Sequence, residues 1–133
     1  MERELFAPLG ISNTLPGGVG FSAENLARIG VMLDNHGKYG EWELFSEKTY
    51  QAIIPTSLST YFPNIDMKYG IGLQSYEPRL GPGSYGHGGG CGTQLIVNPD
   101  KHLVFAMVRN DPGDRYKEHL ADTMSILGSW IQD

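Results

Sequence analysis

Residues 84–93 form a glycine-rich segment, Ser-Tyr-Gly-His-Gly-Gly-Gly-Cys-Gly-Thr, in which five of the ten residues are glycine. We predict that it is a strand whose middle is almost without side chains, and because glycine weakens a strand, some compensating role is expected. Glycines in a strand often mark the close approach of a ligand or another backbone, where free N–H groups can stabilise an oxyanion. A glycine-rich bulge that serves only local packing explains the composition equally well.

The sequence around this segment has the two-residue period of β-strands, which alternate apolar and polar side chains. The short turn predicted at residues 98–101, Asn-Pro-Asp-Lys, lies between two of the strands. Consecutive strands joined by short turns predict an antiparallel meander. The predicted strands are 69–75, 84–89, 93–97 and 103–108.

Apolar residues at helical spacing predict helices on either side of these strands. Ser22 can cap a helix that ends at Gly37, and Ser46 can cap a shorter one that stops before Pro55. Residues 2–5 resemble the end of a further helix, and residues 56–66 are expected to be irregular. A closing amphipathic helix has its apolar face at Leu120, Met124, Leu127 and Ile131. The predicted fold class is therefore α+β, with an antiparallel β-sheet meander packed against helices in one domain, residues 1–133.

Charge and composition exclude several classes of partner. The formal net charge is −5, and neither Lys nor Arg clusters anywhere in the 133 residues, so we expect no nucleic-acid or anionic-membrane partner. No apolar run approaches the length of a membrane span, and the first ten residues lack the apolar core of a signal peptide. The four histidines are scattered without ligand spacing and Cys91 is the single cysteine, so we predict no metal, cofactor or internal disulfide.

Four short motifs follow one another along the chain. They are F-x-P-L-G-I at 6–11, G-G-x-x-F-S-A-E-N-L-A-R at 17–28, Y-G-I-G-L at 69–73 and Y-G-H-G-G-G-C-G-T at 85–93. In this order the chain resembles, over essentially its whole length, the C-terminal portion of the class C β-lactamase and penicillin-binding-protein-like serine hydrolase family. The resemblance implies the C-terminal part of a β-lactamase/transpeptidase-like fold.

The resemblance also implies a role for the glycine-rich segment. In this family the third active-site motif, K-T-G or H-x-G, lies on the strand that edges the substrate cleft, and His87, Gly88 and Gly89 occupy that place. His87 would orient or electrostatically assist substrate, and a main-chain amide near Gly90 or Cys91 would donate to the oxyanion. Imidazole in place of ammonium weakens the case for a β-lactam carboxylate, so the implied substrates are small-molecule esters and amides as much as lactams.

The nucleophile motif of this family is absent from the 133 residues. The family attacks a carbonyl with a Ser activated by Lys in S-x-x-K, helped by Y-x-N or S-D-N, and the sequence contains none of these spacings. The resemblance places them upstream of Met1. We therefore expect a C-terminal segment that is inactive alone and that pairs with an N-terminal segment or self-associates.

Three other interpretations fit parts of the sequence. His-Gly-Gly-Gly at 87–90 also spells the oxyanion motif of α/β-hydrolases, but no G-x-S-x-G follows it. Residues 81–86 fit G-x-G-x-x-G, yet they contain Pro82 and lead into a strand, which disfavours dinucleotide binding. A non-catalytic module that binds a ligand or peptide along its sheet edge remains the alternative to a hydrolase.

Overall fold

The computed structural model describes residues 2–12 and 20–131. The predicted motif at 17–28 therefore lies partly outside the described residues. Within these ranges the chain forms four α-helices: α1 (Ala23–Asp34), α2 (Glu47–Ile53), α3 (Glu77–Leu80) and α4 (Tyr116–Ile131). The strands of the same ranges are β1 (Lys38–Tyr39), β2 (Trp42–Glu43), β3 (Thr56–Ser57), β4 (Lys68–Tyr69), β5 (Gln74–Ser75), β6 (Tyr85–Gly88), β7 (Gln94–Asn98) and β8 (Leu103–Met107).

The helices begin at the caps that the sequence predicts. The Ser22 hydroxyl accepts a hydrogen bond from the Asn25 amide at 3.1 Å, which satisfies an amide left free at the start of α1. Ser46 does the same for α2 at 3.4 Å, and α2 ends before Pro55. Residues 2–6 form a single wide helical turn, in which the Ala7 amide donates to the Glu2 carbonyl oxygen.

The large sheet is an antiparallel meander in the order β3-β4-β5-β6-β7-β8, and β1 and β2 form a separate hairpin. The α+β prediction is therefore confirmed. The sheet has an additional edge strand that was not predicted. Thr56–Ser57, which lies in a segment expected to be irregular, forms β3 and pairs with β4. Helix α3 and the β1–β2 hairpin were not predicted, because both are too short to show a periodic pattern.

The prediction of one strand over residues 69–75 is wrong. The chain turns back between β4 and β5, and Tyr69 pairs with Gln74 across the turn. Gly72 has φ +71°, a conformation that glycine adopts at no steric cost, and a side chain at Gly70 would overlap the Ile53 carbonyl oxygen. The glycines of Y-G-I-G-L therefore make a turn rather than a continuous strand.

The two faces of the sheet carry different cores. On one face Leu95 and Val97 of β7 pack under α1 with Val104 of β8. On the other face Ile96 of β7 and Phe105 of β8 pack against α4 and α3. Because strand residues alternate between faces, every position of β6 is assigned to one of them by its partner on β7.

Candidate functional site

His87 lies on the α1 face of the sheet. It pairs with Leu95 in the β6–β7 register, and Leu95 belongs to the core under α1. The His87 side chain is exposed, and its Nε2 atom lies 3.1 Å from the Tyr69 hydroxyl, with the two rings edge to face. Tyr69 and His87 therefore form a polar pair at the surface, next to the glycines of β6. His87 was a predicted site residue, whereas its contact with Tyr69 was not predicted.

At two positions of β6 the surrounding atoms leave no room for a side chain, so packing requires glycine there. A side chain at Gly86 would overlap the Leu95 carbonyl oxygen of β7, and one at Gly88 would overlap the side-chain amide of Gln94. Gly88 pairs with Gln94 in the register, so it faces away from His87, toward α4. The packing interpretation of the glycine-rich segment therefore accounts for these two positions.

Residues 89–92 form a tight turn that opens to solvent. The Gly89 amide donates to the Thr93 carbonyl oxygen at 2.8 Å, and the Gly92 amide donates to the Gly89 carbonyl oxygen at 3.0 Å. A side chain at Gly90 would meet nothing within 4 Å. The amides of Gly90 and Cys91 donate to no other residue of the part that the structure describes, and the Cys91 amide interacts with its own Sγ atom. Exposed amides of this kind can bind an anion or a polarised carbonyl oxygen.

Cys91 presents its thiol in the same turn. The Sγ atom lies 3.3 Å from the Thr93 hydroxyl, and hydrogen bonding from that hydroxyl and from the Thr93 amide lowers the pKa of the Cys91 thiol. Cys91 is exposed. The exposed thiol makes the turn accessible to thiol-directed probes.

A cavity lies on the opposite face of the sheet from His87. It has a volume of about 800 Å³ between β6, β7, α3 and α4. A chain of hydrogen bonds crosses it: Gln74 Nε2 donates to the Tyr76 hydroxyl, which donates to Gln94 Oε1, and Gln94 Nε2 donates to the Tyr116 hydroxyl. Burial raises the pKa of Tyr76. Gly88, Gly89 and Gly90 line this cavity, so the glycine segment separates it from His87.

The remaining tyrosine of the motifs is a core residue. The Tyr85 hydroxyl donates to the Leu33 carbonyl oxygen at 3.1 Å and also bonds the Tyr50 hydroxyl at 3.1 Å. Tyr85 is 3% exposed, and this burial raises its pKa far above the usual range for tyrosine. Tyr69 is half-buried on the sheet, whereas Tyr76 and Tyr85 are fully buried.

No group of three or more His, Cys, Asp or Glu side chains within residues 2–12 and 20–131 is arranged to hold a metal ion. None of the helices formed by the described residues is both long and apolar enough to span a membrane.

Comparison with known proteins agrees with the motif order. The family model described as Beta-lactamase matches residues 12–127. A protein of Escherichia coli O157:H7 named "Putative D-alanyl-D-alanine carboxypeptidase" is 30% identical over 87 residues, which is 59% of this chain and 19% of that protein. A protein of the same name from Escherichia coli strain K12 is 29% identical over 87 residues, with the same coverage. The chain thus spans about a fifth of the length of these relatives.

Proposed function

The chain belongs to the β-lactamase family of serine hydrolases, and on this premise we propose that residues 87–91 form one wall of an acyl-transfer active site. His87, Gly88 and Gly89 stand where the family has its third motif. Gly90 and Cys91 supply main-chain amides to the oxyanion. The serine nucleophile and its lysine come from polypeptide outside residues 1–133.

The observation that carries this proposal is the exposed turn at 89–92, which directly follows the strand of His87 and in which the Gly90 amide has no hydrogen-bond partner among the described residues. In acyl transfer the carbonyl oxygen of the substrate gains negative charge as the nucleophile attacks. An amide without a partner in another residue can bind that oxygen without first breaking a hydrogen bond between residues. Gly90 has no side chain and open space around it, so a substrate can approach its amide closely.

His87 acts in this proposal as a positioning group. Its Nε2 atom shares one proton with the Tyr69 hydroxyl. This contact holds the two rings edge to face at the surface of the sheet. The second ring nitrogen is left for substrate. It can donate to a carboxylate or accept from a hydroxyl or amide, depending on the tautomer.

The reaction that this wall serves proceeds through an acyl-enzyme. The serine hydroxyl oxygen attacks the carbonyl carbon, its proton passes to the base, and the negative charge moves to the carbonyl oxygen at the amides. The bond to the alcohol or amine then breaks, and that group leaves with the proton. Water attacks the acyl-enzyme in the second half, releases the acid and restores the serine.

The substrate class is an ester, amide or lactam of small size. The imidazole of His87 is a weaker fixed charge than the ammonium of K-T-G, so we expect less preference for a β-lactam carboxylate. The names of the two Escherichia coli relatives add peptides ending in D-alanyl-D-alanine to the candidates.

A chimaera tests the proposal. Residues 12–127 would replace the corresponding segment of the Escherichia coli K12 relative, and hydrolysis of nitrocefin and p-nitrophenyl butyrate would be measured. We expect the chimaera, and not residues 1–133 alone, to react with a serine-directed fluorophosphonate. His87→Ala should lower kcat/KM by ~100-fold. The matched control is His119→Ala, because His119 is an exposed histidine on α4.

Two results would contradict the proposal. Equal rates for the His87→Ala and His119→Ala chimaeras, both labelled by the fluorophosphonate, would remove His87 from the site. Turnover by residues 1–133 alone, with a labelled serine, would show that the nucleophile lies within this chain.

A non-catalytic binding module is the second candidate, and it is favoured by the absence of S-x-x-K from the 133 residues. This function predicts saturable binding of benzylpenicillin or an acylated D-alanyl-D-alanine peptide by the chain alone. Isothermal titration calorimetry would measure that binding, which should disappear in His87→Ala. Undetectable binding by the chain alone would reject this candidate.

A further inference from the structure

The hydrogen bond between Tyr69 and His87 contains one hydrogen atom, and either residue could supply it. At 3.1 Å, the phenol O–H can donate to Nε2, or an Nε2–H can donate to the phenol oxygen. The choice decides which nitrogen of the neutral imidazole carries its single proton. We infer that Tyr69 donates to His87, and that it thereby fixes neutral His87 in the tautomer with the proton on Nδ1.

The relative strengths of the two groups favour the phenol as donor. A phenol loses its proton near pH about 10, so it is a far stronger acid than the N–H group of a neutral imidazole. The bare imidazole nitrogen takes up a proton near pH about 6.5, so it is a far stronger base than a phenol oxygen. A hydrogen bond is strongest when the better acid donates to the better base, which here is O–H to nitrogen.

The backbone of Tyr69 is held on both sides. Tyr69 pairs with Thr56 of β3 and with Gln74 of β5. The next residue is fixed as well, because the Gly70 amide donates to the Leu73 carbonyl oxygen at 2.7 Å. The phenol is therefore carried by a strand with neighbours on either side and not by a loose loop.

A salt bridge ties the same strand to α3. Lys68, the residue before Tyr69, contacts Glu77 with 2.6 Å between Nζ and Oε2. The other oxygen of Glu77 accepts a hydrogen bond from the Gly83 amide at 3.2 Å, in the loop that leads into β6. The strand that carries the phenol and the strand that carries His87 are thus also linked through α3.

The contact has no competitor among residues 2–12 and 20–131. Within these ranges the Tyr69 hydroxyl and the His87 ring form no other hydrogen bond, and Nδ1 has no partner. The two rings lie edge to face, with centroids 6.4 Å apart and planes at 87°. The contact with Tyr69 is therefore the interaction in the described part of the chain that distinguishes the two ring nitrogens.

The consequence for the substrate rests on the function proposed above. With its proton on Nδ1, neutral His87 offers the substrate an N–H donor instead of an acceptor. This selects substrates that carry a carboxylate or carbonyl oxygen beside the bond to be broken, and it disfavours those that present a hydroxyl or amine there. Tyr69 is then a positioning residue, which acts through His87 without touching the substrate.

Nitrogen NMR of the intact 133-residue chain tests the tautomer directly. The chain would carry ¹⁵N-labelled histidine at pH about 8.5, where an ordinary imidazole is neutral and a phenol is protonated. His87 is assigned by the loss of its signals in His87→Asn. We expect the proton on Nδ1 in the parent chain. In Tyr69→Phe the ratio of Nδ1–H to Nε2–H should fall about fivefold, because one hydrogen bond is lost.

The matched control is Tyr61→Phe. It also removes one tyrosine hydroxyl, from a residue that is 76% exposed, and it should leave the tautomer ratio of His87 unchanged. A proton on Nε2 in the parent chain would overturn the inference, and this result needs no variant. The same ratio in the parent chain, Tyr61→Phe and Tyr69→Phe would overturn it as well.

The chimaera described above tests the consequence for the substrate. Tyr69→Phe should lower kcat/KM about fivefold for nitrocefin, whose carboxylate can accept from Nδ1–H, and less than about twofold for p-nitrophenyl butyrate, which has no carboxylate. Equal losses for the two substrates would refute the selection of an acceptor. Loss of the His87→Ala effect in the chimaera would refute the proposed function alone, because the tautomer is measured without turnover.

Discussion

The glycines of the β6 segment differ in why they are glycine, and substitution by alanine should separate them by stability. Gly86, Gly88 and Gly90 all have φ outside the left-handed region, so an alanine at any of these positions does not strain the backbone dihedral angles. What differs is the space around each Cβ. It is blocked by backbone at Gly86 and by the Gln94 side chain at Gly88, and it is empty at Gly90.

The cost at Gly88 follows from the hydrogen bonds of Gln94. An alanine methyl group would displace the Gln94 amide, which is bonded to Tyr76 and to Tyr116, each at 2.8 Å. Each bond contributes about 1 kcal/mol, so losing both costs about 2 kcal/mol. Alanine recovers about 0.5–1 kcal/mol through its smaller loss of backbone entropy on folding. The net destabilisation by Gly88→Ala is therefore about 1–1.5 kcal/mol.

The other two variants bracket this value. At Gly86 the neighbour is the backbone of β7, which can yield only by moving the strand, so we expect a cost of about 3 kcal/mol. At Gly90 the change should remain within about 0.5 kcal/mol of zero. Urea unfolding followed by circular dichroism would measure all three free energies. The reasoning is refuted if Gly90→Ala destabilises as much as Gly86→Ala, or if Gly88→Ala leaves stability unchanged.

Three further predictions concern buried hydroxyls, the thiol and a buried amide. The raised pKa values of Tyr50, Tyr76 and Tyr85 mean that these groups contribute stability below pH about 10 that is lost as pH rises further; the tyrosinate absorbance of these three residues should therefore appear together with alkaline unfolding, and their ionisation in the folded protein near pH about 10 would contradict this. Thr93→Val should slow the reaction of Cys91 with a disulfide reagent at neutral pH by about twofold to fivefold, because the hydroxyl that lowers the pKa of the thiol is gone; an unchanged rate–pH profile would contradict it. Asn98→Ala should destabilise the fold by about 3 kcal/mol in urea, because the buried Asn98 amide bonds the Leu80 carbonyl oxygen and the Ser84 hydroxyl; a loss below about 1 kcal/mol would contradict it.

Long periodic elements and capped helices could be predicted from the sequence. The α1 and α2 caps, the meander and the apolar face of α4 follow from residue type and spacing, because local hydrogen bonds and burial act on neighbouring residues. The turn between β4 and β5 was missed since Tyr69 and Gln74 both suit a strand, and only pairing across the chain shows that they oppose each other.

The candidate site was predictable in composition but not in arrangement. His87 and the glycines stand out in the sequence, whereas the contact with Tyr69 spans 18 positions and depends on the turn after β4. Which glycines are fixed by packing depends on the β6–β7 register, which places Gly88 opposite Gln94. A register is a long-range property, and a shift of one residue would exchange the faces of His87 and Gly88.

The open turn at 89–92 has a consequence for how new specificities could arise in this scaffold. Gly90 and Cys91 are exposed and lie outside both apolar cores, so their side chains can vary while their main-chain amides stay in place. A combinatorial library confined to these two positions would change the shape and charge offered to an acyl group while sparing the packing beneath. The fold thus separates residues that selection can vary freely from those that hold the molecule together.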